Sequence, residues 1–168
     1  MIFKVLLREY SFESNKNTLK FLRAMKTYFC SRDFRIHVDV KYMSMVNNHS
    51  KRKKIKNKLL KKYGCDIGLN AKFGNRFSMP HPTGVVIGDR VIIGDLCTIY
   101  QNSTIGQKDG KYPVIGNNVT IYPSSIIIGG ISIGDNVIIG AGSVVLKDVK
   151  QGTVVVGNPA RQLRNKDE

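Results

Sequence analysis

The stretch VIGNNVTIYPSSIIIGGISIGDNVIIGAGSVV, residues 114–145, carries an isoleucine or valine at every sixth position. The aliphatic residues in this phase are Ile115, Ile121, Ile127, Ile133, Ile139 and Val145. An earlier run has the same spacing and comprises Ile87, Ile93, Ile99 and Ile105. A period of six is too long for strand alternation and out of phase with a helix. It predicts a solenoid whose coils have flat sides, with one inward aliphatic residue on each side.

A second phased position follows four residues after each aliphatic residue. It is mostly small or β-branched, as the interior of a tight prism requires: Val91, Cys97, Ser103, Val119, Ser125, Ile131, Val137, Ser143 and Val149. The main phase also extends upstream through Ile67, Phe73 and Met79. We therefore predict a solenoid domain over residues 64–150, followed by a closing segment and tail over 151–168.

The six-residue phase slips twice. The interval from Met79 to Ile87 is eight residues, and the interval from Ile105 to Ile115 is ten. Each slip predicts a loop that leaves the prism wall, one around Pro80–Gly84 and the other over residues 107–113. Loops that project from a rigid scaffold are where binding and catalytic residues are often found.

Residues 1–63 show no six-residue period and are predicted to be a basic α-helical segment. Helical spacing of apolar residues occurs over 4–9, 19–29, 34–43 and 51–62, with Ser14 or Asn17 as a cap of the second helix. Gly64 is placed to end the last helix.

The net charge of +15 is concentrated in this N-terminal segment. Residues 1–63 have 17 Lys and Arg against four acids, a net +13, whereas residues 64–168 have ten against eight, a net +2. The run KRKKIKNKLLKK at 51–62 has three interpretations: a solvated amphipathic helix, a surface for anionic lipid, or a nucleic-acid site. The third is the weakest because no aromatic residues interleave the run, so we expect no nucleic-acid partner.

Composition also bears on location. No apolar run approaches the ~20 residues that span a bilayer, and residues 1–7 are too short and interrupted for a secretory signal. The three cysteines, Cys30, Cys65 and Cys97, lack metal-ligand spacing, and Cys97 falls on an inward position. We expect a cytoplasmic protein, peripheral to the inner face of the membrane if residues 51–62 contact lipid.

His81 lies in the first slip and is the one histidine of the repeat region. An imidazole, with a reference pKa of ~6.5, is suited to removing a hydroxyl proton near neutral pH. Asp66 lies fifteen residues earlier, roughly one coil, which predicts a carboxylate beneath His81 that holds its tautomer. The alternatives are a surface histidine without a role, and an aspartate that serves the turn after Gly64.

The segment from Cys65 to Val149 resembles the hexapeptide-repeat acyltransferases, and among them the bacterial serine acetyltransferases and their relatives. The matching stretches are Asp66-Ile67, His81-Pro82-Thr83-Gly84-Val85-Val86, Gln101-Asn102-Ser103-Thr104-Ile105-Gly106, Ile139-Gly140-Ala141-Gly142-Ser143-Val144-Val145 and the closing Gly157-Asn158-Pro159-Ala160-Arg161. The resemblance implies a mainly β protein, a left-handed parallel β-helix with triangular coils and a short N-terminal α-helical segment. It also implies a homotrimer with active sites between subunits.

The resemblance further implies that His81 is the general base and Asp66 its partner, with acetyl-CoA as the co-substrate. The transfer is expected to be direct, with no metal and no covalent enzyme intermediate, and with solenoid N–H groups at the oxyanion. Counting hexads places Tyr100–Asn102, Tyr122–Ser124 and Gly140–Gly142 on the same side as His81. The donor-binding candidates are Ser124, Gly140, Ala141, Gly142, Lys147 and Arg161, and the acceptor-binding candidates are Tyr112, Lys111, Gln101 and Asn102. The alternative interpretation of Lys147 and Arg161 is that they are solvated surface charges. The alternative interpretation of Tyr112 is a loop aromatic residue that packs on its neighbours.

Two departures from the serine acetyltransferases bear on the acceptor. An aspartate that helps to hold the substrate amine in that family is Pro80 here. The family's second loop is longer and ends in Arg-His-Pro, whereas this one reads Lys111-Tyr112-Pro113. We therefore predict a sugar or surface-glycan hydroxyl, of the capsule and exopolysaccharide type, as acceptor, with serine O-acetylation for cysteine synthesis as the alternative. A third class, a scaffold or zinc-binding β-helix, needs three histidines per site, which the repeats lack.

Overall fold

The structure, a computed structural model, describes residues 25–165. Helical residues 25–30 lead into helix α1 (Arg32–Met45), and helix α2 (His49–Tyr63) follows it. The helices predicted over 34–43 and 51–62 are confirmed, and each is somewhat longer than its apolar pattern. The helix predicted over 4–9, the start of that over 19–29 and its proposed caps lie outside the described residues.

Each helix begins and ends at residues suited to its termini. The Ser31 hydroxyl oxygen accepts a hydrogen bond from the amide of Phe34 at 3.2 Å, and Asn48 Oδ1 accepts one from Lys51 at 3.0 Å. Helix α2 ends at Gly64, whose φ of 67° is left-handed. The chain then turns directly into the first strand.

The solenoid wall consists of short strands separated by turns. Within the described residues these are β1 (Asp66–Ile67), β2 (Lys72–Phe73), β3 (Val86–Ile87), β4 (Ile92–Ile93), β5 (Thr98–Ile99), β6 (Thr104–Gly106), β7 (Val114–Ile115), β8 (Thr120–Ile121), β9 (Ile126–Ile128), β10 (Ser132–Ile133), β11 (Ile138–Ile139), β12 (Val144–Val145), β13 (Thr153–Val156) and β14 (Arg161–Asn165). Strands two residues long are expected because each prism side is short.

Three sheets form the flat sides of the prism. Face A contains β1-β3-β6-β9-β12, face B contains β10-β7-β4-β2, and face C contains β14-β13-β11-β8-β5. Within each face the strands are parallel, except that β14 folds back antiparallel on β13. The result is a parallel β-solenoid of about four turns, as the six-residue period predicts.

The register shows where residues leave the wall. Val86 pairs with Thr104, and Ile126 with Val144, each an offset of 18 residues. Asp66 pairs with Val86 at an offset of 20, and Thr104 with Ile126 at an offset of 22. The two and four extra residues fall in the two loops that the phase slips predicted.

The inward positions form one continuous core. The isoleucines of the main phase are at most 2% exposed, and the second position is buried at Val91, Cys97, Val119 and Val137. Buried serines satisfy their hydroxyls on the wall; Ser125 Oγ, for example, donates to the Tyr122 carbonyl at 2.7 Å. Phe73 and Val149, near the two ends of the solenoid, are only half-buried.

The two solenoid cysteines give a first test of this packing. Cys65 and Cys97 are fully buried, whereas Cys30 is exposed. Burial raises the pKa of the Cys65 thiol to about 11, and burial also raises the pKa of the Cys97 thiol. Both thiols therefore stay protonated and unreactive at neutral pH. We expect a thiol reagent at about pH 8 to label only Cys30 in the folded protein and all three residues in denaturant; rapid native labelling of Cys65 or Cys97 would contradict this core.

Candidate active site

His81 lies on the first loop, at the corner where face C turns into face A. It is exposed, and it stands between Pro80 and the buried Pro82. Proline fixes φ near −65°, so the backbone on both sides of His81 is restricted. Gly84 closes the loop with a φ of 72°, and a β-carbon there would collide with the Asn102 side chain. The imidazole is thus presented to solvent from a stiff loop.

Three rings run down this corner. The His81 ring lies 6.5 Å from that of Tyr100, centroid to centroid. Tyr100 and Tyr122 stack in parallel at 5.4 Å. Each ring belongs to a successive coil, since the amide of Tyr100 donates to the Ile121 carbonyl. The predicted common side of these residues is confirmed, although the sequence did not reveal the stacking.

The rest of the predicted side follows the same corner. The amides of Asn102, Ser124 and Gly142 donate to carbonyls of the preceding coil at 2.9–3.0 Å. Ala141 and Gly142 are exposed, and a β-carbon at Gly142 would meet nothing within 4 Å. Gln101 Oε1 is buried and accepts no hydrogen bond from the described residues. The corner is therefore open at its glycine end and has one unused acceptor near its tyrosines.

Asp66 opens face A on the coil below His81. The two extra residues of the first loop place Val86, five residues after His81, in register with Asp66. The Asp66 carboxylate contacts the Lys56 ammonium of α2 at 2.7 Å. Among the described residues of this single chain no hydrogen bond joins it to His81. The proposed roles of Asp66 and His81 as a pair stay predictions.

The second loop lies at the other edge of face A, between β6 and β7. Its tip is a tight hairpin in which Lys108 and Lys111 exchange two hydrogen bonds of 3.0 Å. The Tyr112 ring lies against Gly88, where a β-carbon would come within 3.1 Å of it. Tyr112 and Lys111 therefore do not meet His81 within one chain. Packing of Tyr112 on its own chain, the alternative interpretation, agrees with this geometry.

A cavity of about 520 Å³ lies at the C-terminal end of the solenoid. Lys147 and Arg161 line it, as does Lys150, which the sequence reasoning missed. Its floor is apolar and includes Val145 and Val155. Face A separates it from the His81 loop: β3 and β12 are three strand spacings apart, about 14 Å. The predicted donor-binding residues Gly140, Ala141 and Gly142 directly precede β12 and Lys147 follows it, so they lie on the same coil as the cavity and away from the His81 loop.

The described part of the chain, residues 25–165, contains no cluster of three or more His, Cys, Asp or Glu residues that could hold a metal ion. It also contains no helix that is long and apolar enough to cross a membrane.

Residues 112–147 match the family described as bacterial transferase hexapeptide (six repeats). These residues carry the hexapeptide repeat of that family. The matched residues run from β7 to β12 and leave out the His81 loop.

Several known proteins are similar to this hexapeptide-repeat chain. A serine acetyltransferase of Synechococcus elongatus is 44% identical over 102 residues, which are 58% of this chain and 42% of that protein. The crystal structure of Neisseria gonorrhoeae serine acetyltransferase superimposes with a TM-score of 0.79 at 26% identity, covering 98% of this chain and 66% of that one. A serine acetyltransferase in complex with CoA gives a TM-score of 0.72 at 28% identity, covering 77% and 56%.

The chain spans less than half the length of the curated relatives it matches, 42%, 30% and 47% for the first three. These relatives are named serine acetyltransferases, which agrees with serine O-acetylation, the alternative prediction, better than with a sugar acceptor. The comparisons give no support to the capsule and exopolysaccharide type.

Proposed function

We propose that the protein is an acetyl-CoA-dependent O-acetyltransferase whose acceptor is the hydroxyl of L-serine. The observation that carries the proposal is the exposed His81 imidazole, held at the head of an open solenoid corner. Support for acetyl-CoA and serine comes from relatives that are named serine acetyltransferases, one of them in complex with CoA. This replaces the sugar acceptor as the leading hypothesis.

The proposed reaction needs one base and no covalent intermediate. His81 removes the proton of the acceptor hydroxyl while that oxygen attacks the thioester carbonyl of acetyl-CoA. The tetrahedral intermediate then breaks its carbon–sulfur bond, and the imidazolium returns its proton to the leaving CoA thiolate. The buried, protonated thiols of Cys65 and Cys97 are unsuited to carry the acetyl group.

The hydrogen bonds of the corner limit which backbone N–H groups could stabilise the oxyanion. The amides of Asn102, Ser124 and Gly142 already donate to the preceding coil, so none of the three is free to stabilise an oxyanion. If a backbone N–H serves this purpose, it belongs to another corner residue.

A sugar hydroxyl remains the second candidate because of two positions near the acceptor. Pro80 supplies no carboxylate for a substrate amine, and its carbonyl is taken by Arg32 at 3.1 Å. The second loop offers Lys111 for a carboxylate but no arginine or histidine beside it. A site built for a zwitterion loses much of its affinity without such partners.

The acceptor is tested by comparing kcat/KM for L-serine with that for a panel of hexoses and N-acetylhexosamines. We expect L-serine to be the best substrate, with D-serine and L-alanine inactive as matched controls for stereochemistry and for the hydroxyl. A higher kcat/KM for a sugar would replace serine by the second candidate.

The cationic cavity is proposed to hold the phosphates of CoA. Exposed charge pairs contribute up to ~1 kcal/mol each, so Lys147→Ala or Arg161→Ala is expected to raise KM for acetyl-CoA about two- to five-fold with kcat unchanged. The increase should shrink at high salt. Lys72→Ala, an exposed lysine of face B, is the control. A fall in kcat with constant KM would place these residues outside the donor site.

The homotrimer and the peripheral membrane contact through residues 51–62 are further proposals. In a trimer the second loop of one copy would reach the His81 corner of its neighbour, which one chain alone does not achieve. Helix α2 presents Lys51, Lys53, Lys54 and Lys61 to solvent, the surface that an anionic lipid headgroup would meet. Sedimentation equilibrium at a monomer mass would contradict the first proposal, and failure to bind phosphatidylglycerol vesicles at low salt the second.

A further inference from the structure

Helix α1 faces the first coil with a stripe of three polar side chains, Asp33, His37 and Lys41. Residues four apart share one face of a helix. The Lys41 ammonium donates to the Phe73 carbonyl at 3.0 Å, and His37 Nδ1 lies 3.0 Å from the Phe77 carbonyl. The stripe therefore lies along the strand-and-turn segment 73–79, and helix α1 runs antiparallel to that segment.

Asp33 makes the tightest contacts of the stripe. Its Oδ1 accepts a hydrogen bond from the Met79 amide and its Oδ2 one from the Ser78 hydroxyl, both at 2.7 Å. Hydrogen bonds to a carboxylate are short and about twice as strong as neutral ones. The neighbouring Arg32 adds a bond from Nη2 to the Pro80 carbonyl at 3.1 Å. Three consecutive residues are therefore held by the first turn of α1.

The next residue along the chain is His81. Its own ring has no hydrogen-bond partner among the described residues, and its ring contact is with Tyr100 at 6.5 Å. Its position is set by the backbone on either side. Downstream, the turn from Pro82 to Gly84 is tied to the neighbouring coils. Upstream, the fixed points are the two bonds to Asp33 and the bond from Arg32 to the Pro80 carbonyl.

We infer that Asp33 is a positioning residue for the base of the proposed reaction: its carboxylate ties Ser78 and Met79 to helix α1 and so fixes where the His81 imidazole stands. The inference rests on the proposed function for its kinetic consequence. Its chemistry requires a fixed imidazole, because a displacement of about 1 Å at a reacting group costs ~100-fold in rate. It also gives the helical segment a part in the active site, beyond covering the end of the solenoid.

Lys41 provides a matched comparison. It lies on the same face of α1 and makes the same kind of helix-to-solenoid contact as Asp33, but to Phe73 and Asn75, several residues from His81. Removal of either side chain weakens the packing of α1 on the first coil. The loss of Asp33 alone removes the restraint on Met79, two residues before His81, while Ser78 keeps its backbone pairing with Thr98.

The experiment compares Asp33→Ala, Asp33→Asn, Ser78→Ala and Lys41→Met by kcat, KM and melting temperature. We expect Asp33→Ala to lower kcat about 10- to 100-fold with KM for acetyl-CoA unchanged. Asp33→Asn, whose amide can still accept from Met79 and donate to Ser78, should retain most of kcat, and Ser78→Ala should fall between them. Lys41→Met should lower the melting temperature but leave kcat within about two-fold.

The inference is overturned if Lys41→Met lowers kcat as much as Asp33→Ala, or if Asp33→Ala changes only the melting temperature. A measurement without substrate separates this inference from the proposed function. In NMR spectra the His81 ring resonances should shift or broaden in Asp33→Ala and remain as in the wild type in Lys41→Met. If that result appears while the wild type transfers no acetyl group, the proposed function fails and the positioning of His81 by Asp33 stands; unchanged His81 resonances in Asp33→Ala refute the positioning itself.

Discussion

Replacement of His81 by alanine is expected to lower kcat for acetyl transfer by about 100- to 10,000-fold, the range that removal of a general base typically costs. The thioester carbonyl is attacked poorly by a neutral hydroxyl, and the solenoid sequence contains no second histidine that could take the proton. The KM for acetyl-CoA should change little, since the proposed phosphate site lies about 14 Å along face A. Steady-state release of CoA measures both constants.

The His81→Ala substitution should lower the rate of acetyl transfer without changing the stability of the fold. His81 is exposed and makes no hydrogen bond among the described residues, so the melting temperature should stay close to that of the wild type. His49→Ala, an exposed histidine at the start of α2, is the matched control and should retain full activity. Full retention of transfer by His81→Ala would remove the base from the mechanism.

The second large effect is expected in the core. Ile121 is fully buried on face C and stands in register between Ile99 of β5 and Ile139 of β11. The hydrogen-bonded coils on both sides hold those neighbours in place, so the site cannot collapse around a shortened side chain. Ile121→Ala should therefore lower the free energy of unfolding by about 2–5 kcal/mol.

Ile121→Val is the graded control, with an expected loss of about 0.5–1.5 kcal/mol because only one methylene is removed. Urea unfolding at a fixed protein concentration measures both variants. A loss below ~1 kcal/mol for the alanine variant would mean that the ladder of isoleucines is not closely packed.

The solenoid and its interruptions were predictable from sequence because they arise from a local rule. Each side of the prism contains six residues and buries one aliphatic residue, so the spacing of the aliphatic residues predicts the strands of the wall. Extra residues cannot be accommodated in that wall, and the slips at Met79 and Ile105 therefore located both loops. The exposure of His81 follows from the same rule.

Contacts between the helices and the solenoid were not predictable. Asp33 and Met79 are 46 residues apart, and His37 and Phe77 are 40 apart, with no repeat linking the two regions. The sequence also offered no reason to single out Lys56 among the eight cations of residues 51–62, although the structure shows its ammonium in contact with the Asp66 carboxylate. The residue in register with Asp66 was not predictable either, because the first loop lengthens its coil from 18 residues to 20 and pairs Asp66 with Val86.

The most direct test of the account is a single-turnover experiment with protein in excess over radiolabelled acetyl-CoA, in the presence of L-serine. The account predicts that the label moves from CoA to serine in one phase, that no label appears on the protein, and that in His81→Ala the label stays on CoA. Label on the protein would contradict direct transfer, and label that remains on CoA with serine and with every sugar tested, in a protein that is folded, would contradict the proposed function.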